Sequence, residues 1–220
     1  MNPKDIEPTG YLYPVNLDLR GRPCLVVGGG RIATKKVEKL LFYKASITVI
    51  APEIAPKISN LVGITIHRRA YEPGDIANYW LAIVATGNKA INKAVFEDGK
   101  KYKVWVNSSD DPKSCSLTLP AVLQRGVVSI AVSTSMYSPA LARWLKQEVS
   151  NLVGPEYDTL ALLLSKARSE LKANNVACDF TDWKSLIDSK LPQLIKESRI
   201  EKAEQLIKEW VVSQLGKSTG

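Results

Sequence analysis

Short apolar runs alternate with helical patterns through the first half of the chain. The runs "PCLVVGG", "ASITVIAP" and "YWLAIVAT" are typical of buried strands because they are rich in β-branched residues and bounded by glycine, proline or polar residues. Between the first two, "RIATKKVEKLLFYK" places apolar side chains at helical spacings. The shorter "ITIHR" and "KVWVN" add two strands, and a helix that ends near Gly99 precedes the last one. This α/β alternation predicts a doubly wound parallel sheet with right-handed crossovers.

The pattern changes after Pro112. The stretch "SLTLPAVLQRGVVSIAVST" predicts two extended segments around a turn at Arg125 and Gly126, which either extend the sheet or pair with another subunit. A helix follows in "SPALARWLKQEVSNLV", with Ser138 as its cap and Pro139 at its first position. From there to the end the chain is helical in character. We therefore expect an α/β domain, a small strand-containing region and a C-terminal helical domain.

Charge and composition narrow the function classes. The 30 basic and 22 acidic side chains give a net charge of +8, which favours a polyanionic partner of some kind. Zinc-finger spacing, an RNP-type aromatic motif and a dense basic block are absent from the sequence, so we expect no nucleic-acid partner. The start "MNPKDIEPTG" lacks the features of a secretory signal, and no apolar run reaches the length of a membrane span. We therefore expect a cytoplasmic protein with no membrane partner.

The triple glycine after the first strand is the strongest local motif. Gly28, Gly30 and Ala33 fit GxGxxA, with a tight turn, a close approach for a pyrophosphate and a small residue where helix packs on strand. Backbone N–H groups at the start of the following helix would hold the diphosphate. The motif predicts a Rossmann-like dinucleotide-binding domain, and the alternative is a compact turn without a ligand.

The choice of cofactor depends on the end of the second strand. The acidic residue expected there is replaced by Ile50 and Ala51, but Glu53 stands two residues further on and can accept the ribose 2′-hydroxyl. Arg31 could instead meet a 2′-phosphate. We predict NAD and leave NADP open. The expected cofactor contacts are Gly28, Gly30, Arg31, Ile32, Pro52, Glu53 and Thr86.

Two adjacent carboxylates follow the fifth predicted strand in "VNSSDDPKSCSLTLP". A carboxylate at the carboxyl edge of a parallel sheet is well placed to act as a base, and a close second carboxylate would raise the pKa of one of the pair. The competing interpretation is that Asp110 and Asp111 form an Asx-type turn before Pro112. His67, the only histidine, and the scattered cysteines indicate no metal site built from protein side chains.

Four stretches together carry a family resemblance: "YLYPVNLDLRGRPCLVVGGGRIATKKVEKLL", "WLAIVATGNKAIN", "VNSSDDPKSCSLTLPAVLQRG" and "IAVSTSMYSPALARWLK". Over about residues 11–153 the chain resembles the precorrin-2 dehydrogenases of sirohaem biosynthesis, including those that also act as sirohydrochlorin ferrochelatases and those fused to a methyltransferase. The resemblance implies an NAD domain over residues 1–112, a dimerisation region over 113–152 and a helical domain over 153–220, assembled as a homodimer.

The resemblance also implies an activity and a site. In similar enzymes NAD+ takes a hydride from precorrin-2 to give sirohydrochlorin, and bifunctional members then insert Fe2+. Asp110 matches the family's functional aspartate in an N-x-x-D pattern that begins at Asn107. It would act as the base or, in chelation, as a group that accepts pyrrole protons or guides the metal. Precorrin-2 is a polycarboxylate, so cations near the cleft would engage it. The expected substrate contacts are Asn107, Lys113, Arg125, Thr134 and Arg143.

Two other function classes remain open. A nucleotide-sensing regulatory domain would use the same glycine turn and bind NAD without oxidising a substrate. A dehydrogenase of small alcohols would ordinarily add a Tyr and Lys pair or a His relay, and no YxxxK pair appears beside the glycine domain. The sequence also leaves open whether the chain inserts iron.

Overall fold

The computed structural model of the chain describes residues 12–109 and 111–217. Internal contacts divide the chain into two compact units, Met1–Leu119 and Pro120–Gly220. Within the described residues, no helix is long and apolar enough to cross a membrane.

The first unit is built on a parallel sheet. Its elements in chain order are β1 (Pro23–Val27), α1 (Arg31–Phe42), β2 (Ser46–Ile50), α2 (Pro56–Ser59), β3 (Ile64–His67), β4 (Leu81–Val84), α3 (Lys89–Tyr102) and β5 (Trp105–Ser108). Among the described residues the strand order is β3-β2-β1-β4-β5, and every pair is parallel. The predicted doubly wound sheet is therefore confirmed.

The apolar runs are explained by burial on both faces of this sheet. The centre of β1 pairs with β2 on one side and with β4 on the other, so that Val26 lies between Val49 and Ile83. One face is covered by α1, whose Val37 is fully buried, and the other by α3, whose Val95 is fully buried. The carboxyl ends of β1, β2 and β4 consequently lie at the same edge, where doubly wound folds bind ligands.

Helix α3 is longer than the sequence predicts. We expected it to end near Gly99, but it continues to Tyr102 and is capped by Lys103, which has a left-handed φ of 57°. Gly99 is buried, and a Cβ there would overlap the side chain of Val106 on β5. This glycine therefore allows helix and strand to pack closely, and does not terminate the helix.

The second unit contains a hairpin and helices. Its elements are β6 (Ala121–Arg125), β7 (Val128–Val132), α4 (Pro139–Leu152), α5 (Glu156–Ala173), α6 (Phe180–Ile187), α7 (Leu191–Lys196) and α8 (Ile200–Lys217). The antiparallel β6 and β7 form a sheet of their own, so the expectation that they extend the main sheet is wrong. Pairing with another subunit stays a prediction. The predicted cap of α4 is confirmed, because Ser138 Oγ accepts a hydrogen bond from the Leu141 N–H at 3.2 Å.

The helices of the second unit enclose a separate core. Leu163 and Leu171 of α5 pack with Leu191 of α7 and Ile207 of α8. Polar contacts hold the hairpin to this unit, since the Val127 N–H donates to Asp158 Oδ1 at 2.8 Å. The division of residues 113–220 into a dimerisation region and a helical domain stays a prediction.

Candidate dinucleotide cleft

Two of the three consecutive glycines are required by the fold itself. Gly28 has a φ of +124°, and a Cβ there would overlap the carbonyl oxygen of Ala85 after β4. A Cβ on Gly29 would overlap the carbonyl oxygen of Glu53. The backbone of the glycine turn therefore passes so close to the ends of β2 and β4 that side chains are excluded.

Gly30 has a different role. Its φ is −86°, which any residue can adopt, and a Cβ built on it meets no atom within 4 Å. It is the N-cap of α1 but supplies no side-chain cap, so the first N–H groups of the helix are not bonded by a capping side chain. Packing alone does not require a glycine at this position. A pyrophosphate that approaches the backbone beside these N–H donors would explain why a glycine is present.

A cleft of about 380 Å³ lies at this edge of the sheet. It is bounded by the glycine turn, the ends of β2 and β4, the segment after β3 and the start of α3. Five predicted cofactor contacts are brought together there: Gly28, Gly30, Pro52, Glu53 and Thr86. Arg31 and Ile32 stand exposed in the first turn of α1, next to Gly30.

The wall on the β4 side is fixed by polar contacts. Thr86 Oγ1 donates to Asn92 Oδ1 at 2.8 Å and accepts the Asn88 N–H at 3.0 Å. Asn88 caps α3, because its Oδ1 accepts the Ala90 N–H at 2.9 Å. Thr86 is thus a residue that shapes the turn from β4 into α3 as well as lining the cleft.

Sequence reasoning missed nine residues that line the cleft: Val27, Gly29, Ile50, Ala51, Ala70, Tyr71, Ala85, Asn88 and Ile91. Asn88 carried a signal, since Asn is a preferred N-cap directly before a helical pattern. Ala70 and Tyr71 carried none, because they lie in a connection without periodic structure.

Asp110, the predicted base, lies outside the described residues. Its neighbour Asp111 forms the Asx-type turn that was the competing interpretation of the pair. The Oδ1 of Asp111 accepts the Lys113 N–H at 3.2 Å, and its Oδ2 accepts the Ser114 hydroxyl at 2.7 Å. Both carboxylate oxygens of Asp111 are therefore used to cap the short 3-10 helix Pro112–Ser114.

The segment after this turn runs back along β5, the edge strand. Ser116 Oγ accepts the Val106 N–H at 2.7 Å, and Cys115 Sγ accepts the Ser108 N–H at 3.2 Å. The buried Asn107 side chain donates to the Leu117 carbonyl at 3.1 Å. These contacts occupy outward-facing groups of an edge strand, which would otherwise be open to pairing. Asn107, a predicted substrate contact, thus holds the segment that follows the 3-10 helix against β5.

Of the other four predicted substrate contacts, two are exposed and two form hydrogen bonds within the second unit. Lys113 is exposed in the first unit, and Arg143 is exposed on α4 in the second. The Arg125 guanidinium donates to Ser150 Oγ at 2.8 Å and to the Val153 carbonyl at 3.1 Å. Thr134 Oγ1 donates to the Ser138 carbonyl at 2.9 Å and accepts its N–H at 3.1 Å. Arg125 and Thr134 therefore hold local structure, and the substrate role of all four stays a prediction.

Metal-ligating side chains are dispersed. In residues 12–109 and 111–217, no group of three or more His, Cys, Asp or Glu side chains is placed to hold a metal ion. His67 ends β3 with an exposed side chain, and its carbonyl accepts the Ala51 N–H at 3.2 Å. The expectation of no protein-built metal site stays a prediction.

Comparison with known proteins also indicates that the first unit binds a nicotinamide dinucleotide. A family model described as putative NAD(P)-binding matches residues 15–121. The siroheme synthase of Pseudoalteromonas atlantica is 30% identical over 202 residues, covering 90% of this chain and 44% of the relative. That of Actinobacillus pleuropneumoniae is 32% identical over 200 residues, covering 88% and 41%. The chain thus spans less than half the length of these curated relatives.

A solved structure matches nearly the whole chain. It is described as SirC, precorrin-2 dehydrogenase, and is 26% identical with a TM-score of 0.69. The match covers 92% of this chain and 100% of the solved chain. The fold likeness therefore includes elements of both compact units.

Proposed function

Because the chain belongs to the precorrin-2 dehydrogenase family, which includes the N-terminal regions of sirohaem synthases, we propose that it oxidises precorrin-2 to sirohydrochlorin with NAD+ in sirohaem biosynthesis. The observation that carries the proposal is the match of 92% of this chain to a solved precorrin-2 dehydrogenase. The cleft at the glycine turn adds independent support, since it offers space and N–H donors where a dinucleotide would bind. The chain therefore acts as an oxidoreductase in this account.

The residues around the glycine turn have distinct tasks toward the cofactor. Gly30 leaves room for the pyrophosphate, and the first N–H groups of α1 donate to it. Glu53 is exposed at the mouth of the cleft beyond β2, where its carboxylate accepts the ribose 2′-hydroxyl and repels a 2′-phosphate. This charge supports NAD over NADP. The exposed Arg31 is the cation that would favour NADP if Glu53 faced away.

The oxidation removes a hydride and a proton from the substrate. The bound nicotinamide supplies the hydride acceptor, and the protein must supply a base for the proton. We assign the base to Asp110. The neighbouring carboxylate is a poorer candidate, because both oxygens of Asp111 already accept hydrogen bonds. Ser116 and Asn107 hold the segment that follows Asp111 against β5.

The excess positive charge suits a polycarboxylate substrate. The exposure of Lys113 and Arg143 supports their assignment as partners of its carboxylate arms. Arg125 and Thr134 combine that proposed role with the structural hydrogen bonds described above. Truncation of the two exposed cations should therefore raise the KM for precorrin-2 more than it lowers kcat.

A homodimer belongs to the same proposal. Apolar side chains stand exposed on α4, with 46% of Leu141 and 58% of Trp144 accessible. Leu141 and Trp144 are three positions apart and so are neighbours on the helix surface, and adjacent exposed apolar side chains are typical of an interaction surface. The molecular mass in solution, measured by light scattering, tests this part of the account.

The proposal is tested by anaerobic incubation of the purified chain with enzymatically generated precorrin-2. We expect sirohydrochlorin, followed by its absorption, to appear with NAD+ and more slowly with NADP+. Nucleotide binding without sirohydrochlorin would favour the sensor alternative. Addition of Fe2+ in a second step tests iron insertion, because acceleration of sirohaem formation over the protein-free rate would establish the chelatase.

A further inference from the structure

The connection between β3 and β4 forms a wall of the cleft that the glycine motif does not explain. Residues 68–80 contain turns and no helix, and they pass over the face of the sheet that α3 covers. Ile76 in this connection is fully buried in the core between α3 and the sheet, together with Val95 and Val106. We call this cluster the α3-side core. Ala70 and Tyr71, earlier in the same connection, line the cleft.

Polar contacts fix this connection in place. The Arg69 guanidinium donates two hydrogen bonds to Asp75, at 2.6 and 2.8 Å, and Asp75 also accepts the Glu72 N–H at 2.8 Å. A second set ties the loop to α3, because Asp98 Oδ2 accepts the Gly74 N–H at 2.8 Å. These hydrogen bonds link residues within the connection to one another and link the connection to α3. A ligand would therefore meet a wall whose conformation is already fixed.

Tyr71 is held by the same carboxylate. Its hydroxyl donates to Asp98 Oδ2 at 2.7 Å, while its ring is half-buried against the α3-side core. Burial, and then the bond to Asp98, raise the pKa of the phenol, so Tyr71 stays neutral at physiological pH. With the hydroxyl engaged, the ring is the part of Tyr71 that a ligand in the cleft would meet.

The position of the Tyr71 ring indicates which half of the dinucleotide it would contact. The cleft residues Ile50 to Glu53 lie at the carboxyl end of β2. Strand β2 is on the side of β1 that receives the adenosine ribose in doubly wound folds. Tyr71 packs on the same core cluster as Ile50. A flat aromatic side chain at this end offers a stacking or edge contact to a flat base.

We propose that Tyr71, positioned by Asp98, is the wall against which the adenine base of the cofactor packs. This inference rests on the proposed function only in requiring a dinucleotide with an adenosine half. It assigns Tyr71 to binding, and it assigns Asp98 to positioning.

The test is calorimetric titration of the full chain with AMP, nicotinamide mononucleotide and NAD+. We expect Tyr71→Ala to weaken AMP and NAD+ binding about tenfold, as loss of one base–aromatic contact does, and to leave nicotinamide mononucleotide unchanged. Tyr71→Phe keeps the ring and should stay within about threefold of the wild type. Tyr71→Leu fills the volume without an aromatic face, so it replaces the alanine variant if that variant fails to fold.

Control variants distinguish the loss of the Tyr71 contact from a general loss of fold stability. Tyr102 packs on the same core but does not line the cleft, so Tyr102→Ala should lower the melting temperature without changing AMP affinity. Asp98→Ala should weaken AMP binding several-fold, and Asp98→Asn should restore most of it because its amide oxygen still accepts the Tyr71 hydroxyl.

Two results would overturn the inference. One is wild-type AMP affinity in the folded Tyr71→Ala or Tyr71→Leu variant, and the other is a loss confined to nicotinamide mononucleotide. Either can occur while precorrin-2 is still oxidised, which would leave the proposed function intact. Conversely, AMP binding that depends on Tyr71, in a chain that does not oxidise precorrin-2, would support the inference and contradict the proposed function.

Discussion

The carbonyl oxygen of Gly29 accepts a hydrogen bond from the N–H of Ala55 at 2.8 Å, which ties the glycine turn to the segment that follows β2. The bond explains why Gly29 approaches the Glu53 backbone so closely that no side chain fits. Glu53 and the N-terminus of α1 are thereby held on two sides of one cleft before any ligand arrives. The proposed cofactor site is therefore preformed, and its parts can be tested separately.

The three glycines should respond differently to alanine. Gly30→Ala has room for its Cβ and a φ that alanine adopts, so we expect near-wild-type stability with a loss of NAD+ affinity of at least about tenfold. Gly28→Ala places a Cβ against the Ala85 carbonyl at a positive φ, and should destabilise the fold by about 2 kcal/mol or more. Thermal unfolding and NAD+ titration of both variants are the measurements. Equal stability losses in the two would show that Gly30 serves packing.

Glu53 should set the choice between cofactors. Glu53→Gln removes the negative charge while keeping the side-chain size, so the ratio of kcat/KM for NAD+ over NADP+ should fall about tenfold. Steady-state rates with each cofactor give this ratio. A ratio that does not change would place cofactor discrimination elsewhere, with Arg31 as the next residue to vary.

Asp75 should make stability depend on acid pH. Hydrogen bonds from Arg69 hold the pKa of Asp75 below its ordinary value of 3.8, despite the opposing effect of burial. A lowered folded-state pKa stabilises the protein at pH values above the unfolded-state pKa, and the stabilisation is lost as pH falls through the folded-state pKa. Asp75→Asn should therefore be less stable than the wild type near pH 7.

The measurement is urea unfolding of both proteins across this range. The difference between their midpoints should stay constant down to about pH 5 and shrink below it. A difference that is independent of pH would mean that the Asp75 side chain contributes through hydrogen-bond geometry alone.

A strained turn precedes α4 in the second unit. Ser135 and Met136 have φ values of 48° and 71°, and the Tyr137 N–H donates to the Thr134 carbonyl at 2.9 Å across them. Left-handed backbone costs a non-glycine residue about 1 kcal/mol, so Met136→Gly should increase the free energy of unfolding by about that amount. Chemical denaturation followed by tryptophan fluorescence checks this. Destabilisation by the glycine would mean that the Met136 side chain contributes packing that outweighs the strain.

The sheet and the glycine turn were predictable because their signals are local. Continuous apolar runs identify β1 and β4, and the GxGxxA spacing identifies the turn at Gly28 to Ala33. The role of Gly99 was not predictable in the same way. A glycine near a helix end ordinarily indicates a cap, and only the position of Val106 on β5 shows that it is needed for close packing.

The rest of the site depends on contacts between distant residues. Tyr71 and Asp98 are 27 positions apart, and neither belongs to a motif. For the aspartate pair, the sequence offered a base and a turn as competing interpretations. The hydrogen bonds of Asp111 to Lys113 and Ser114 show that one of the two forms the turn, which a spacing argument cannot resolve.

The central claim is that this chain oxidises precorrin-2 with Asp110 as the base. Its most direct test is the anaerobic rate of NADH formation from precorrin-2 and NAD+ by the wild type and by Asp110→Ala, with NAD+ affinity measured on both. We predict NADH formation by the wild type, and a variant that binds NAD+ normally but turns over at least about 100-fold more slowly. Full turnover by Asp110→Ala, or no NADH from the wild type, would contradict the claim.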